Sequence, residues 1–117
     1  MNRIFVAALK EETPSLDYFF HTGVGKINAS YNLMKLINEF KPIEVINYGT
    51  AGSLKSQLTG LVECTKFYQR DMDVRSLMDL ELGQTPFDEI SHIVIDEKGY
   101  SCGSGDSFVN KKIELDV

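Results

Sequence analysis

The sequence has no basic run longer than Lys111-Lys112, and its twelve lysines and arginines face seventeen acidic residues for a formal net charge of −5. A chain that cannot align cations along a phosphate backbone is not expected to bind nucleic acid. Long apolar runs are missing as well. The one near the N-terminus, residues 3–9, is far too short for a membrane span and lacks the pattern of a signal peptide. The expectation is a cytoplasmic protein that makes no membrane contact. Cysteine is scarce, and Cys64 and Cys102 lack metal-ligand spacing, so both are expected to stay reduced. Without secretion the sequon Asn28-Ala29-Ser30 carries no meaning. With no repeat, low-complexity stretch or flexible linker, 117 residues of 43% hydrophobic content read as a single domain, 1–117, able to bury a core.

What is present alternates between strand and helix signals. Residues 3–9 are apolar enough for a buried strand, which runs into Lys10-Glu11-Glu12-Thr13-Pro14. Asp17–His21 reads as a second strand. Thr22-Gly23-Val24-Gly25-Lys26 then turns into a helix through Phe40, with Leu33, Leu36, Ile37 and Phe40 spaced to face a sheet. Gly-Val-Gly-Lys lacks the spacer and the Ser/Thr of a P-loop and reads as a tight strand-to-helix turn. Pro42 ends the helix, and residues 43–48 complete a strand–helix–strand unit. Further strands are expected at 61–68 and 91–95, separated by an irregular segment, 76–90, broken by Gly83 and Pro86. The fold class is α/β, a mixed central sheet flanked by helices.

Five places carry possible chemistry. The strand 43–48 breaks abruptly into Gly49-Thr50-Ala51-Gly52, leaving amides and a hydroxyl uncovered; this is either a plain turn or the floor of a cradle for an anion or sugar oxygens. Glu11 and Glu12 follow a strand's carboxyl end, the edge at which open α/β sheets collect ligands. Asp71-Met72-Asp73 could hold a divalent metal, but the arginines interleaved with it favour ion pairing. Gly99-Tyr100-Ser101-Cys102-Gly103 matches the esterase nucleophile elbow, yet His21 and His92 both precede Ser101, where that chemistry requires the His to follow. Beyond it, Gly103–Val109 sets Phe108 beside a polar loop, as a core residue or as a ring able to stack on a purine.

In order along the chain, Val6–Glu12, Gly23–Ala29, Val45–Gly52 and Gly105–Val109 resemble the methylthioadenosine/S-adenosylhomocysteine nucleosidases of the purine nucleoside phosphorylase superfamily. The resemblance implies a nucleoside phosphorylase-like fold and hydrolysis of the N-glycosidic bond of 5′-modified adenine nucleosides, of the methylthioadenosine, S-adenosylhomocysteine or 5′-deoxyadenosine type. No metal or organic cofactor is implied. Glu12 matches the water-activating glutamate, which suits a cationic ribosyl transition state. Thr50, Ala51 and Gly52 match the segment beside that water and the ribose, which Leu9 and Val24 would also line. Phe108 would stack on the base while the backbone of Val109 reads its edge. Val74, Leu77 and Pro86 fall where a dimer partner closes the 5′-substituent pocket.

Two departures accompany the resemblance. Only Thr13 to Thr22 stands where the family has additional strands, so the first sheet is trimmed. The chain also ends at Glu114-Leu115-Asp116-Val117, before the family's ribose-gripping Met-Glu motif and the later Asp that protonates the purine. That implies a fragment, a split half or a degenerate relative, with a homodimer partner or a complementary C-terminal half. The alternatives are a nucleoside phosphorylase and a non-catalytic nucleoside-binding or assembly module. Phosphorylases of the superfamily commonly hold phosphate with arginine, and Arg3, Arg70 and Arg75 are the candidates here.

Overall fold

A computed structural model describes residues 2–117, which fall into two compact units, one up to Gly52 and the other Ser53–Val117. The first contains β1 (Arg3–Ala7), a 3-10 turn at Lys10–Glu12, β2 (Phe19–His21), α1 (Lys26–Phe40) and β3 (Glu44–Asn47). Its sheet has the order β2-β1-β3 and is parallel throughout, with Phe5 opposite both Phe19 and Ile46. The second contains β4 (Cys64–Gln69), β5 (Ile93–Val94) and β6 (Tyr100–Ser104) in the order β5-β4-β6, where β5 is antiparallel and β6 parallel to β4. The α/β class expected from the sequence is present, and its strands are grouped into two three-stranded sheets rather than one.

In the first unit β1 is the central strand and is covered on both faces, which is why its sequence is apolar without strict alternation. Ile4, Val6 and Ala7 are buried. On one face Phe5 meets Tyr18 and Phe19 with ring centroids 5.1 and 5.6 Å away, and Phe19 reaches Tyr48 at 6.0 Å. On the other, Phe20 packs against Phe40 of α1 at 5.2 Å. The stripe Leu33, Leu36, Ile37 and Phe40 is the half-buried side of that helix, in agreement with its spacing. The helix start is tied to the exit of β2 by Asn32, whose side-chain amide donates to the Thr22 carbonyl at 2.8 Å. Its end is set by Lys41, which adopts a left-handed conformation and donates its N–H to Ile37 at 2.8 Å, one residue before Pro42.

The expected strand 3–9 stops at Ala7, because residues 9–13 satisfy their backbone groups among themselves. Glu12 N–H donates to the Leu9 carbonyl at 3.1 Å and Thr13 N–H to Lys10 at 3.0 Å. Strands β2 to β5 also begin or end within a few residues of their expected bounds, whereas β6 was not expected, its residues having read as a nucleophile-elbow pattern followed by a small-residue turn. In the second unit a register shift between Cys64 and Lys66 leaves Thr65 turned inward, its hydroxyl donating to the Lys98 carbonyl at 2.6 Å. Residues 76–90 contain neither helix nor strand, as expected. Cys64 and Cys102 are free thiols on the neighbouring strands β4 and β6.

Ile4 is the largest fully buried side chain among the described residues. Ile4→Ala is expected to cost about 2–5 kcal/mol and Ile4→Val about 0.5–1.5 kcal/mol. Urea unfolding followed by tyrosine fluorescence checks both values.

Candidate functional site

Because the strands of the first unit are parallel, their carboxyl ends lie on one edge of the sheet, where open α/β sheets hold ligands. Backbone bonds extend the ladder past each strand. Thr22 N–H donates to Ala7 at 2.9 Å, Gly23 N–H to Ala8 at 3.0 Å, and Tyr48 N–H to Val6 at 2.9 Å. Three chain segments therefore leave the sheet side by side: Ala8–Glu12, Thr22–Val24 and Tyr48–Gly52. They contain Leu9, Glu12, Val24, Thr50, Ala51 and Gly52.

Glu12 links two of these segments. One carboxylate oxygen accepts the Thr50 backbone N–H at 2.7 Å and the Thr50 hydroxyl at 2.8 Å, and the other accepts the Leu9 N–H at 3.0 Å. Gly49 makes the approach possible, since a Cβ there would stand 3.0 Å from the same Glu12 oxygen that Thr50 binds. Partial burial alone would raise the Glu12 pKa, but the bonds from the Thr50 amide, the Thr50 hydroxyl and the Leu9 and Ala8 amides outweigh it and hold the group below its ordinary value. Glu12 is thus a carboxylate at neutral pH. The group is half-buried on this edge of the sheet. Glu11, one residue earlier, is exposed.

Leu9 and Val24 are exposed on the same edge at 44% and 61%, as are Thr50, Ala51 and Gly52. The Val24 carbonyl accepts from the Asn28 side chain at 2.9 Å. Beyond the turn, Thr13 bonds the His21 ring at 3.0 Å. These two residues help border a cavity of about 570 Å³ that Glu12 does not line. The role of Gly49 as room for a carboxylate was hidden in the sequence, where it read only as half of a turn.

The remaining candidates lie in the second unit. Phe108 is fully exposed and Val109 partly so, on a loop bordering a cavity of about 330 Å³. Val74, Leu77 and Pro86 occupy the irregular segments after β4, with Leu77 at 85% exposure and the Val74 carbonyl accepting the Leu77 and Met78 amides. Asp73 is ion-paired with Arg75 at 2.7 Å, and this guanidinium, through its side-chain bond and then the Arg75 amide, holds the carboxyl at about 2. Asp71 accepts the Asp106 N–H at 2.9 Å. The Asp-x-Asp pair is therefore turned to internal bonds, and no group of metal-ligating side chains occurs among the described residues. Ser101 lies within strand β6, not on the sharp strand-to-helix turn of a nucleophile elbow. His92 stacks on Tyr68 at 4.4 Å.

The chain has the nucleoside phosphorylase-like α/β fold. It superposes on a futalosine hydrolase mutant of Helicobacter pylori with a TM-score of 0.78, at 22% sequence identity, covering 96% of this chain and 70% of that one. In sequence it is similar to 5′-methylthioadenosine/S-adenosylhomocysteine nucleosidases. That of Bacillus licheniformis is 39% identical over 67 residues, 56% of this chain, and that of an Exiguobacterium species is 39% identical over the same length. The Bacillus subtilis nucleosidase is 37% identical over 67 residues. The matched part spans only 29% of the first of these relatives. No protein-family model matches the chain.

A depressed carboxylate pKa contributes stability that is fully present above the unfolded-state value and is lost as pH falls through the folded-state value. The stability difference between wild type and Glu12→Gln should accordingly shrink as the solution is acidified below the ordinary glutamate range. Thr50→Val, which keeps the amide but removes the hydroxyl donor, should move the Glu12 pKa upward. Side-chain carboxyl NMR titration reads the shift directly.

Proposed function

We propose that this chain supplies the water-activating part of a nucleosidase site that hydrolyses the N-glycosidic bond of 5′-modified adenine nucleosides. The observation that carries the reading is the Glu12 carboxylate, fixed by Thr50 and Leu9 on the carboxyl edge of a parallel sheet. In the reaction the bond between C1′ and the base nitrogen breaks, and its electrons leave with the adenine, which takes up a proton. Glu12 removes a proton from water as the oxygen attacks C1′, and its negative charge offsets the positive charge on the ribosyl group. Thr50 keeps the carboxylate ionised and aimed. Ala51 and Gly52 present a side-chain-poor floor to the ribose, and Leu9 and Val24 are its apolar borders. Phe108 stacks on the purine and the Val109 backbone reads its edge. The products, adenine and a 5′-substituted ribose, suit purine and methionine salvage in the cytoplasm.

Similarity to the nucleosidases and the likeness of fold over 96% of the chain support one functional domain. The arginines favour water over phosphate as the nucleophile. Arg3 pairs with Glu44 at the opposite end of β1 from Glu12. Arg70 donates to the Ser107 carbonyl, and Arg75 is held by Asp73 and Glu114. A dianionic phosphate beside Glu12 would also meet like charge. Half-buried Val74 with exposed Leu77 and Pro86 are the surface on which a second subunit, or a complementary C-terminal half, completes the 5′-substituent pocket.

Product analysis of the active protein with and without phosphate is the test. Free 5′-substituted ribose at an unchanged rate is expected. Strict phosphate dependence with a ribose 1-phosphate product would replace the hydrolase with a phosphorylase, and nucleoside binding without any adenine release would leave a binding module. Glu12→Gln keeps the shape but removes the base, so kcat should fall by about 10² or more. Glu11→Gln should stay within about twofold of wild type; an equal loss there would undo the assignment of the base.

A further inference from the structure

The loop that carries Phe108 and Val109 has little to hold it by those side chains, since Phe108 is 97% exposed and Val109 44%. Its fixed points lie just upstream and belong to the two residues that follow β4. Arg70 N–H donates to the Ser104 carbonyl at 3.0 Å, carrying the β4–β6 ladder one step further. The Arg70 guanidinium turns back to donate to the Ser107 carbonyl. Asp71 accepts the Asp106 N–H at 2.9 Å. Between these contacts lies Gly105, where a Cβ would stand 2.7 Å from Arg70 Cζ, 3.0 Å from Nη2 and 3.1 Å from Nε. The guanidinium is seated where a side chain at 105 would otherwise be, and Gly105 does not have a left-handed backbone that would require glycine for another reason.

From this geometry we infer that Arg70 and Asp71 form a clamp on residues 104–107 that presents Phe108 and the Val109 backbone to the nucleobase. The inference rests on the adenine-nucleoside reading of the loop. Arg70 is here a positioning residue, acting on the base only through the segment it holds. Three separate donors and acceptors hold Ser104, Asp106 and Ser107 from the end of β6 into the loop, so the loop enters binding already ordered and less freedom is lost when the base arrives. The guanidinium fork suits this task because it can donate to a carbonyl while its stem stays packed against the strand. In keeping with that, the Arg70 Cβ and Cδ would lie 3.4 and 3.5 Å from a Cβ built at Gly103.

The clamp makes an unusual demand on Gly105→Ala. The added methyl meets the movable end of a side chain rather than backbone, so it should expel the guanidinium from its seat without unfolding the unit. Gly105→Ala should therefore reproduce Arg70→Ala, and the double variant should be no worse than Arg70→Ala alone. The experiment measures adenine binding by calorimetry, and amide hydrogen exchange of residues 105–109, on the full chain. Both single variants should raise the Kd for adenine about tenfold and speed exchange at Ser107–Val109 by a similar factor, with amides of β1 and α1 unchanged. Wild-type adenine binding that survives Arg70→Ala within about twofold, or effects of the two substitutions that simply add, would overturn the clamp and leave the adenine reading standing. If the wild-type chain does not bind adenine while Arg70→Ala still quickens exchange in the loop, the adenine reading falls and the clamp is supported.

Discussion

One carboxylate joins the functional edge of the first unit. Glu12 leaves the chain just after β1, Thr50 just after β3, and the three bonds gathered on Glu12 hold these exits in register beyond the point where strand pairing ends. Each partner needs the other. Without the carboxylate the Thr50 amide and hydroxyl would turn to water and the Gly49–Gly52 segment would lose its tie to the β1 exit, and without those donors a partly buried carboxylate would bear its desolvation uncompensated. A 3-10 turn brings Glu12 round to Leu9 N–H, and the absence of a side chain at 49 lets the carboxylate come close.

The same arrangement bears on what kind of base Glu12 would be in the proposed reaction. Donors that lower its pKa guarantee ionisation at neutral pH, yet they also weaken its pull on a proton. That exchange is useful where the reaction partner becomes cationic. For an oxocarbenium-like ribosyl group, a fixed negative charge close to C1′ lowers the barrier whether or not proton transfer has begun, so electrostatic stabilisation carries part of what basicity gives up. A phosphate nucleophile gains nothing from such a charge.

Much of this was legible in the residues, and the parts that were not share a physical cause. Helix α1 was readable because its stripe of Leu33, Leu36, Ile37 and Phe40 is long enough for period 3.6 to stand out, and Pro42 closes it. The strand–helix–strand unit from β2 through α1 to β3 was readable, and such a unit sends both its strands the same way; that β1 pairs parallel with both, where a mixed sheet was expected, was not. What remained hidden depends on contacts between residues far apart in sequence. Gly49 makes room for a side chain 37 positions earlier, and Gly105 for one 35 positions earlier. A glycine records only that a side chain is missing, not what occupies the space. The division of the strands into two sheets was hidden for a related reason, since periodicity identifies a strand but not its neighbours.

Arg70 and Glu12 solve the same problem in the two units with opposite charges. In each case a small-residue loop that follows a strand has backbone groups that no ladder satisfies: amide donors at Thr50, a carbonyl acceptor at Ser107. A carboxylate serves the first and a guanidinium the second, each coming from the chain that leaves a neighbouring strand, and each seated where a nearby glycine, Gly49 or Gly105, leaves room. Charged partners are the effective choice at such exposed edges, because a charge-assisted bond is roughly twice as strong as a neutral one and so competes better with water. The difference between them lies in what each would contribute to the proposed site: Glu12, half-buried on its edge, would act on water, whereas Arg70 directs its fork at the loop itself and would offer a ligand only the shape of Ser107–Val109.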